Sequence, residues 1–201
     1  MTVTEIRAQK RRKNRYNIYD EEGFVMSLAD ETIVRYGIKP GVEIDADLLK
    51  ELRAEDTYKY ANELAAQYLS YAPRSRRQLM EHLAKKGIDE ESAERTAELM
   101  ESYGYINDEA YAKEFAAAYE EKLSPRAISY KLRSKGVSKE TAEAAAYETD
   151  SDAAARAVMK KLSRKFKNDE KRKERLMQAL MRRGFSYGDF ADNYSEDIWE
   201  D

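Results

Sequence analysis

The chain offers little with which to make or break a covalent bond. Cysteine is absent and histidine occurs once, at His82, inside the stretch "RRQLMEHLAKKG". Without cysteine there is no thiolate nucleophile, no disulfide framework and no thiolate metal site. A single helical imidazole with no second His or Cys beside it is far more often structural or exposed than a ligand. Carboxylates cluster at Asp20-Glu21-Glu22 and Asp89-Glu90-Glu91. Both clusters fall at turns or helix starts, where acids cap and complement the helix dipole. No glycine-rich phosphate loop, G-x-S-x-G elbow or H-E-x-x-H pair is present. The expectation is a protein that is not an enzyme and uses no cofactor or metal.

The unusual chemistry is ionic. Charged residues make up 37% of the 201 positions, and the net charge of −3 is unevenly spread. Six cations and no acid lie between Arg7 and Arg15, and the stretch from Arg156 to Arg183 carries a net +9. Segregation of this kind points to a polyanion or an acidic protein surface as partner. Arg74, Arg76 and Arg77 crowd the start of a helix, where each opposes the dipole at a cost of roughly a few tenths of a kcal/mol, so a compensating use is expected. Arg126, Lys131, Arg133 and Lys135 mark the corresponding helix of a second unit. Lys171, Arg172, Lys173, Arg175, Arg182 and Arg183 mark that of a third. With Lys86 added and Lys173 set aside, these are the candidate partner-binding residues. Stacked in register, they would form a discontinuous basic track along one side. Taken singly, each reads as an ordinary solvated residue of a charged helix.

The elements that place these cations repeat. Gly87, Gly136 and Gly184 are spaced by 49 and 48 residues. Before them stand the apolar pairs Leu79/Leu83, Ile128/Leu132 and Leu176/Leu180, and after them Ile88, Val137 and Phe185. Apolar residues four apart share a helix face. Glycine takes the left-handed C-cap without steric cost, and the apolar residue after it folds back onto the last turn. The cation just before each glycine (Lys86, Lys135 or Arg183) meets the negative end of the dipole, so capping accounts for one cation per repeat. N-cap signals precede the same helices: Ser75 with Gln78, and Ser124 before Pro125. Asp89, Ser138 and Ser186 begin a further helix after each glycine. A longer helix opens each unit, with stripes Ala61/Leu64/Ala65/Tyr68, Tyr111/Phe115/Tyr119 and Ala155/Val158/Leu162/Phe166. The predicted fold is mainly α, three tandem three-helix repeats forming an elongated curved body.

A small β-hairpin-containing module precedes the repeats. "RYNIY" and "FVMSL" alternate, with Tyr16, Ile18, Phe24, Met26 and Leu28 expected inward and "DEEG" as the turn. "VTEIRAQK" is a candidate third strand, and "DETIVRYG" a short helix closed by Gly37. The predicted limits are 1–54 for this module, then 55–103, 104–149 and 150–195 for the repeats, with an acidic tail at 196–201. No apolar run follows the basic N-terminus, and no stretch approaches the ~18 apolar residues that span a bilayer. The expected setting is the cytoplasm, with no membrane contact.

With these residues in place the chain resembles the RecX family of recombination regulators. The matching stretches are "RSRRQLMEHLAKKGI", "YGYINDEAYAKEF", "SPRAISYKLRSKGV" and "LMRRGFSYGDF", and "GYINDEAYA" is the most specific. The resemblance implies a non-enzymatic modulator of the recombinase RecA. Such a protein binds RecA and the RecA–single-stranded DNA filament as a monomer and reduces filament assembly, ATP hydrolysis and strand exchange. Two alternatives stay open: a helical protein that binds nucleic acid directly, and a helical scaffold for another protein. Weak direct DNA contact is compatible with the first reading as well. Against a DNA-reading helix stands the acidity of "DEESAERTAELME".

Overall fold

Alternation in residues 15–28 produces a hairpin. In the computed structural model, which describes residues 1–10 and 14–199, strands β1 (Glu5–Ala8), β2 (Arg15–Asp20) and β3 (Gly23–Ala29) form an antiparallel sheet in that order. Arg11, Arg12 and Lys13 of the basic run and Glu200 and Asp201 of the acidic end lie outside the described residues. The hairpin turn is held by Asp20, whose Oδ1 accepts hydrogen bonds from the backbone of Glu22 and Gly23 at 2.9 and 3.1 Å. Ile18, Met26 and Leu28 turn inward as expected and pack with Val3, Ile38, Ile44 and Leu52.

Phe24 does not join them: it is 60% exposed. The register explains why. Ile18 pairs with Met26, but Tyr19 pairs with Phe24, so a bulge lies between them. One extra residue reverses the alternation beyond it. Phe24 therefore meets Tyr19 edge-on across the outer face, ring centres 5.9 Å apart.

A short helix α1 (Asp30–Arg35) follows and is closed at Gly37, whose φ is +62°. Helix α2 (Ala46–Tyr71) then runs unbroken through residue 54, where the sequence placed the limit of the N-terminal module. No Gly or Pro lies between Gly41 and Pro73 to stop it. Its first turns supply Leu52 to the core under the sheet, and Ala61 and Ala65 are buried further along.

The remaining chain consists of α3 (Arg76–Lys85), α4 (Glu90–Ser102), α5 (Asp108–Tyr119), α6 (Pro125–Ser134), α7 (Lys139–Tyr147), α8 (Ser151–Phe166), α9 (Arg172–Met181) and α10 (Tyr187–Asn193). The order is three helices three times over, α2–α4, α5–α7 and α8–α10. All six residues of the apolar pairs are fully buried. Gly87, Gly136 and Gly184 have φ of +79°, +93° and +90°. Behind the first two, the N–H of Ile88 donates to Leu83 and that of Val137 to Leu132, each at 3.2 Å. This is the six-to-one bond of a Schellman cap.

The N-caps also form. Ser75 and Gln78 exchange hydrogen bonds as a capping box, and so do Ser186 and Asp189. Asp89 accepts from the backbone of Ser92, Asn107 from Ala110, Ser124 from Ala127 and Ser138 from Thr141.

The chain divides into two compact units, one of Met1–Tyr71 with His82–Met100, the other of Ala72–Glu81 with the chain from Glu101 onward. Within the second unit, Ile128, Leu132, Val137 and the alanines of α5 and α7 make one core, flanked by Tyr111, Phe115 and Tyr119. Ala155, Val158, Met159, Leu176, Leu180, Phe185 and Phe190 make another. The expected acidic tail is in part a piece of that second core. A 3-10 turn at Glu196–Trp199 inserts Trp199, 5% exposed, and Ile198 and Tyr194 pack beside it. Acids dominate the composition of "DNYSEDIWED", but its three apolar residues bury enough surface to dock it.

Candidate partner-binding surface

Two junctions in the second unit set where the cations go. The last carbonyl of the α6 end, Lys135, accepts a hydrogen bond from Ser75 Oγ at the start of α3, at 2.5 Å. The equivalent carbonyl at the α9 end, Arg183, accepts from the backbone N–H of Ser124 at the start of α6, at 3.0 Å. Negative and positive helix ends thus meet head to tail. The glycines permit the approach. A Cβ on Gly136 would fall 2.3 Å from Cβ of Arg77, and one on Gly184 would fall 2.6 Å from Cβ of Ala127 and Oγ of Ser124. Around Gly87 the same position is open space. Capping alone explains Gly87, whereas Gly136 and Gly184 also carry a junction. The sequence held a signal for this, since Ser75 and Ser124 are spaced by the same 49 residues as Gly87 and Gly136.

The candidate cations separate into two groups. One group is engaged within the chain. Arg76 donates from Nε to Glu101 at 2.9 Å while its backbone N–H caps onto Asp108. Arg77 pairs with Glu81 at 2.9 Å, one helical turn on. These bonds supply the compensation expected for cations at a helix start. Arg175 pairs with Asp169 at 2.6 Å, and Arg172 lies over the Trp199 ring at 4.9 Å and reaches Glu196 at 3.8 Å. Lys173 lies over Tyr194, Lys135 over Phe115, and Arg183 caps the carbonyl of Ala179 at 2.7 Å. Arg74 is half-buried.

The other group faces solvent. Lys86, Arg126, Lys131, Arg133, Lys171 and Arg182 are exposed, and among the described residues none has an ion-pair partner. On α6, Arg126 and Arg133 stand at i and i+7 and share a face. Between them at i+4 is Tyr130, 73% exposed, which the charge pattern alone did not single out. Its signal was an aromatic lying off the Ile128/Leu132 face. Lys131 lies about 140° around the helix from Arg126 and belongs to a different face.

His82 stacks flat on Tyr68, ring centres 4.0 Å apart, within the first unit. Among the described residues no group of three or more His, Asp or Glu side chains is placed to hold a metal ion. Also in the first unit, the buried Glu55 carboxylate lies between Arg35 at 3.2 Å and Arg95 at 3.7 Å, and the Arg95 guanidinium covers the Tyr58 ring at 3.8 Å. The shifted carboxylates include two caps. The backbone N–H of Ser92 holds Asp89 below the usual carboxylate range, and that of Ala153 does the same for Asp150. No described helix is long and apolar enough to cross a membrane.

This arrangement has counterparts. The family model described as Regulatory protein RecX N-terminal domain matches residues 1–45. The first, second and third three-helix domains of RecX match 61–98, 107–145 and 148–190. Regulatory protein RecX of Clostridium acetobutylicum is 27% identical over 97% of this chain and 95% of its own. That of Lactobacillus delbrueckii subsp. bulgaricus is 30% identical over 98% of this chain and 74% of its own. A crystal structure of regulatory protein RecX superposes with a TM-score of 0.70 at 25% identity, covering 96% of this chain and 98% of that one. The structure of RecX from Lactobacillus salivarius shares the fold, with a TM-score of 0.61 at 23% identity over 69% of this chain and 95% of that one. Sheet module and three bundles whose middle helices close at glycine, matched in order along nearly the whole length, place the chain in the RecX family of regulatory proteins.

Proposed function

We propose that the chain is a non-enzymatic regulator that binds RecA and the RecA–single-stranded DNA filament and lowers filament assembly, ATP hydrolysis and strand exchange. The observation that supports this reading best is the full, ordered set of RecX domains on a chain in which Lys86, Arg126, Lys131, Arg133, Lys171 and Arg182 are exposed and, among the described residues, have no acidic partner. Repeated modules suit a repeating partner, because several weak contacts add through effective concentration. The α6 face of Arg126, Tyr130 and Arg133 is the surface assigned to that partner. It presents two guanidiniums and a phenol in a row, suited to carboxylates or phosphates with an apolar neighbour.

The test is binding to single-stranded DNA with and without RecA and nucleotide, read together with the RecA ATPase. The expected result is binding to the filament well beyond that to bare DNA, with a slower ATPase. Reversing charge at Arg126 and Arg133 should weaken filament binding roughly tenfold or more while leaving the melting temperature unchanged. Equal binding to bare DNA with an unaltered ATPase would favour direct nucleic-acid binding instead.

A further inference from the structure

Between α5–α6 and α8, inside the second unit, lies an open cleft of about 380 Å³ that shares only Arg183 with the junctions and caps described above. Its floor is apolar, made by Tyr119, Leu123, Val158 and Leu162. Its rim holds four cations, Lys122, Lys131, Lys161 and Arg183, against a single carboxylate, Glu121. Two of the cations are held in place. Lys122 Nζ donates to the carbonyl of Ala118 at 2.9 Å, and Arg183 Nη1 donates to that of Ala179 at 2.7 Å. Lys131 and Lys161 are exposed, and among the described residues neither has an ion-pair partner. An apolar floor ringed by positive charge is complementary to an apolar side chain flanked by carboxylates.

We propose that this cleft docks an acidic peptide segment of a partner protein, with one aliphatic or aromatic side chain of that segment seated on the floor. A strand of nucleic acid would satisfy the same cations but not the same floor. Base recognition along a single strand relies on open aromatic faces. Tyr119 is the one aromatic ring here, and it is stacked on Phe115 at 4.5 Å and covered by Lys122 at 5.3 Å. The aliphatic carbons of Leu123, Val158 and Leu162 offer no flat face to a base. The peptide would bind whether or not RecA is the protein that carries it.

The experiment is fluorescence anisotropy on the full chain with a short labelled peptide of Asp and Glu around one central Leu. Binding should be saturable and weaken with salt. Replacing the central Leu by Ser should weaken it roughly tenfold or more, the value of burying one such side chain. The double variant Lys131→Glu, Lys161→Glu changes only exposed side chains and should melt as the parent does while losing roughly tenfold or more in affinity. The proposal is overturned if the parent shows no saturable binding, if the double variant binds like the parent, or if the Ser peptide binds as well as the Leu peptide. It is equally overturned if an oligothymidylate displaces the peptide as effectively as unlabelled peptide does.

Discussion

Gly87, Gly136 and Gly184 are alike in the sequence and unlike in their surroundings. Each sits at positive φ, where a Cβ costs about 1–2 kcal/mol. Only at 136 and 184 would that Cβ also run into the start of another helix. Gly87→Ala should therefore cost about 1–2 kcal/mol in urea unfolding, and Gly184→Ala about 1 kcal/mol or more beyond that, because Ala127 and Ser124 are short side chains that cannot swing aside. Equal losses at the two sites would mean the junction carries no energy.

Asp89 is a second residue-scale case. Its carboxylate is stabilised by the Ser92 N–H, so its pKa lies below the unfolded value. The stabilisation is present at neutral pH and is lost as pH falls through that lowered pKa. Asp89→Ala should cost about 1 kcal/mol at pH 7, and the gap to the parent should close in acid. Asp89→Asn retains an acceptor and should lose less. Chemical denaturation at several pH values checks all three statements.

Among the elements, the C-terminal segment is the one whose composition misleads. Five of the last ten residues are acidic, and screening of the preceding basic helix is a natural reading of "DNYSEDIWED". Screening is part of what occurs, since Glu196 reaches Arg172. Trp199 does more. It is buried in the core of α8–α10, donates from Nε1 to Tyr194 Oη at 3.1 Å, and lies beneath the Arg172 guanidinium. In the two preceding bundles the start of the middle helix meets the carbonyl end of a following one. The N-cap of α9, Lys171, makes no side-chain cap, and Trp199 and Glu196 lie against Arg172 in its first turn. Trp199→Ala should destabilise by about 3–5 kcal/mol, read by circular dichroism during urea unfolding. A loss under about 1 kcal/mol would make the segment a loose tail.

For the whole molecule, charge is the property that bears on partners. The net charge of −3 hides exposed cations carried by α6 and α8, with Arg126, Lys131, Arg133, Lys161 and Arg182 all in the second unit. Contacts made through exposed charges weaken as salt shortens the Debye length. Binding of the parent to the RecA filament should therefore fall steadily with added salt, and the Arg126/Arg133 double reversal should show a flatter dependence. Filament binding indifferent to salt would remove the cations from the contact.

The sequence by itself determined the local grammar of this protein. Apolar pairs four apart, glycines at fixed spacing and Ser, Asp or Asn at helix starts act over a few residues, so helices α3 to α10, the caps at Ser75, Asp89, Ser124, Ser138 and Ser186, and the buried apolar pairs could be read directly, whereas the Asp150 cap of α8 was not. The hairpin was legible for the same reason, except at Phe24, where a bulge changed the face. Tertiary structure decided what depends on distant neighbours: that α2 belongs partly to the sheet, that Trp199 is core, that Arg76 and Arg77 are spoken for by Glu101 and Glu81, and that two of three equivalent glycines hold a junction. A cation's sequence context sets its helix and its turn, but which carboxylate or ring it meets is set by segments tens of residues away, and that alone separates a surface ready for a partner from one already occupied.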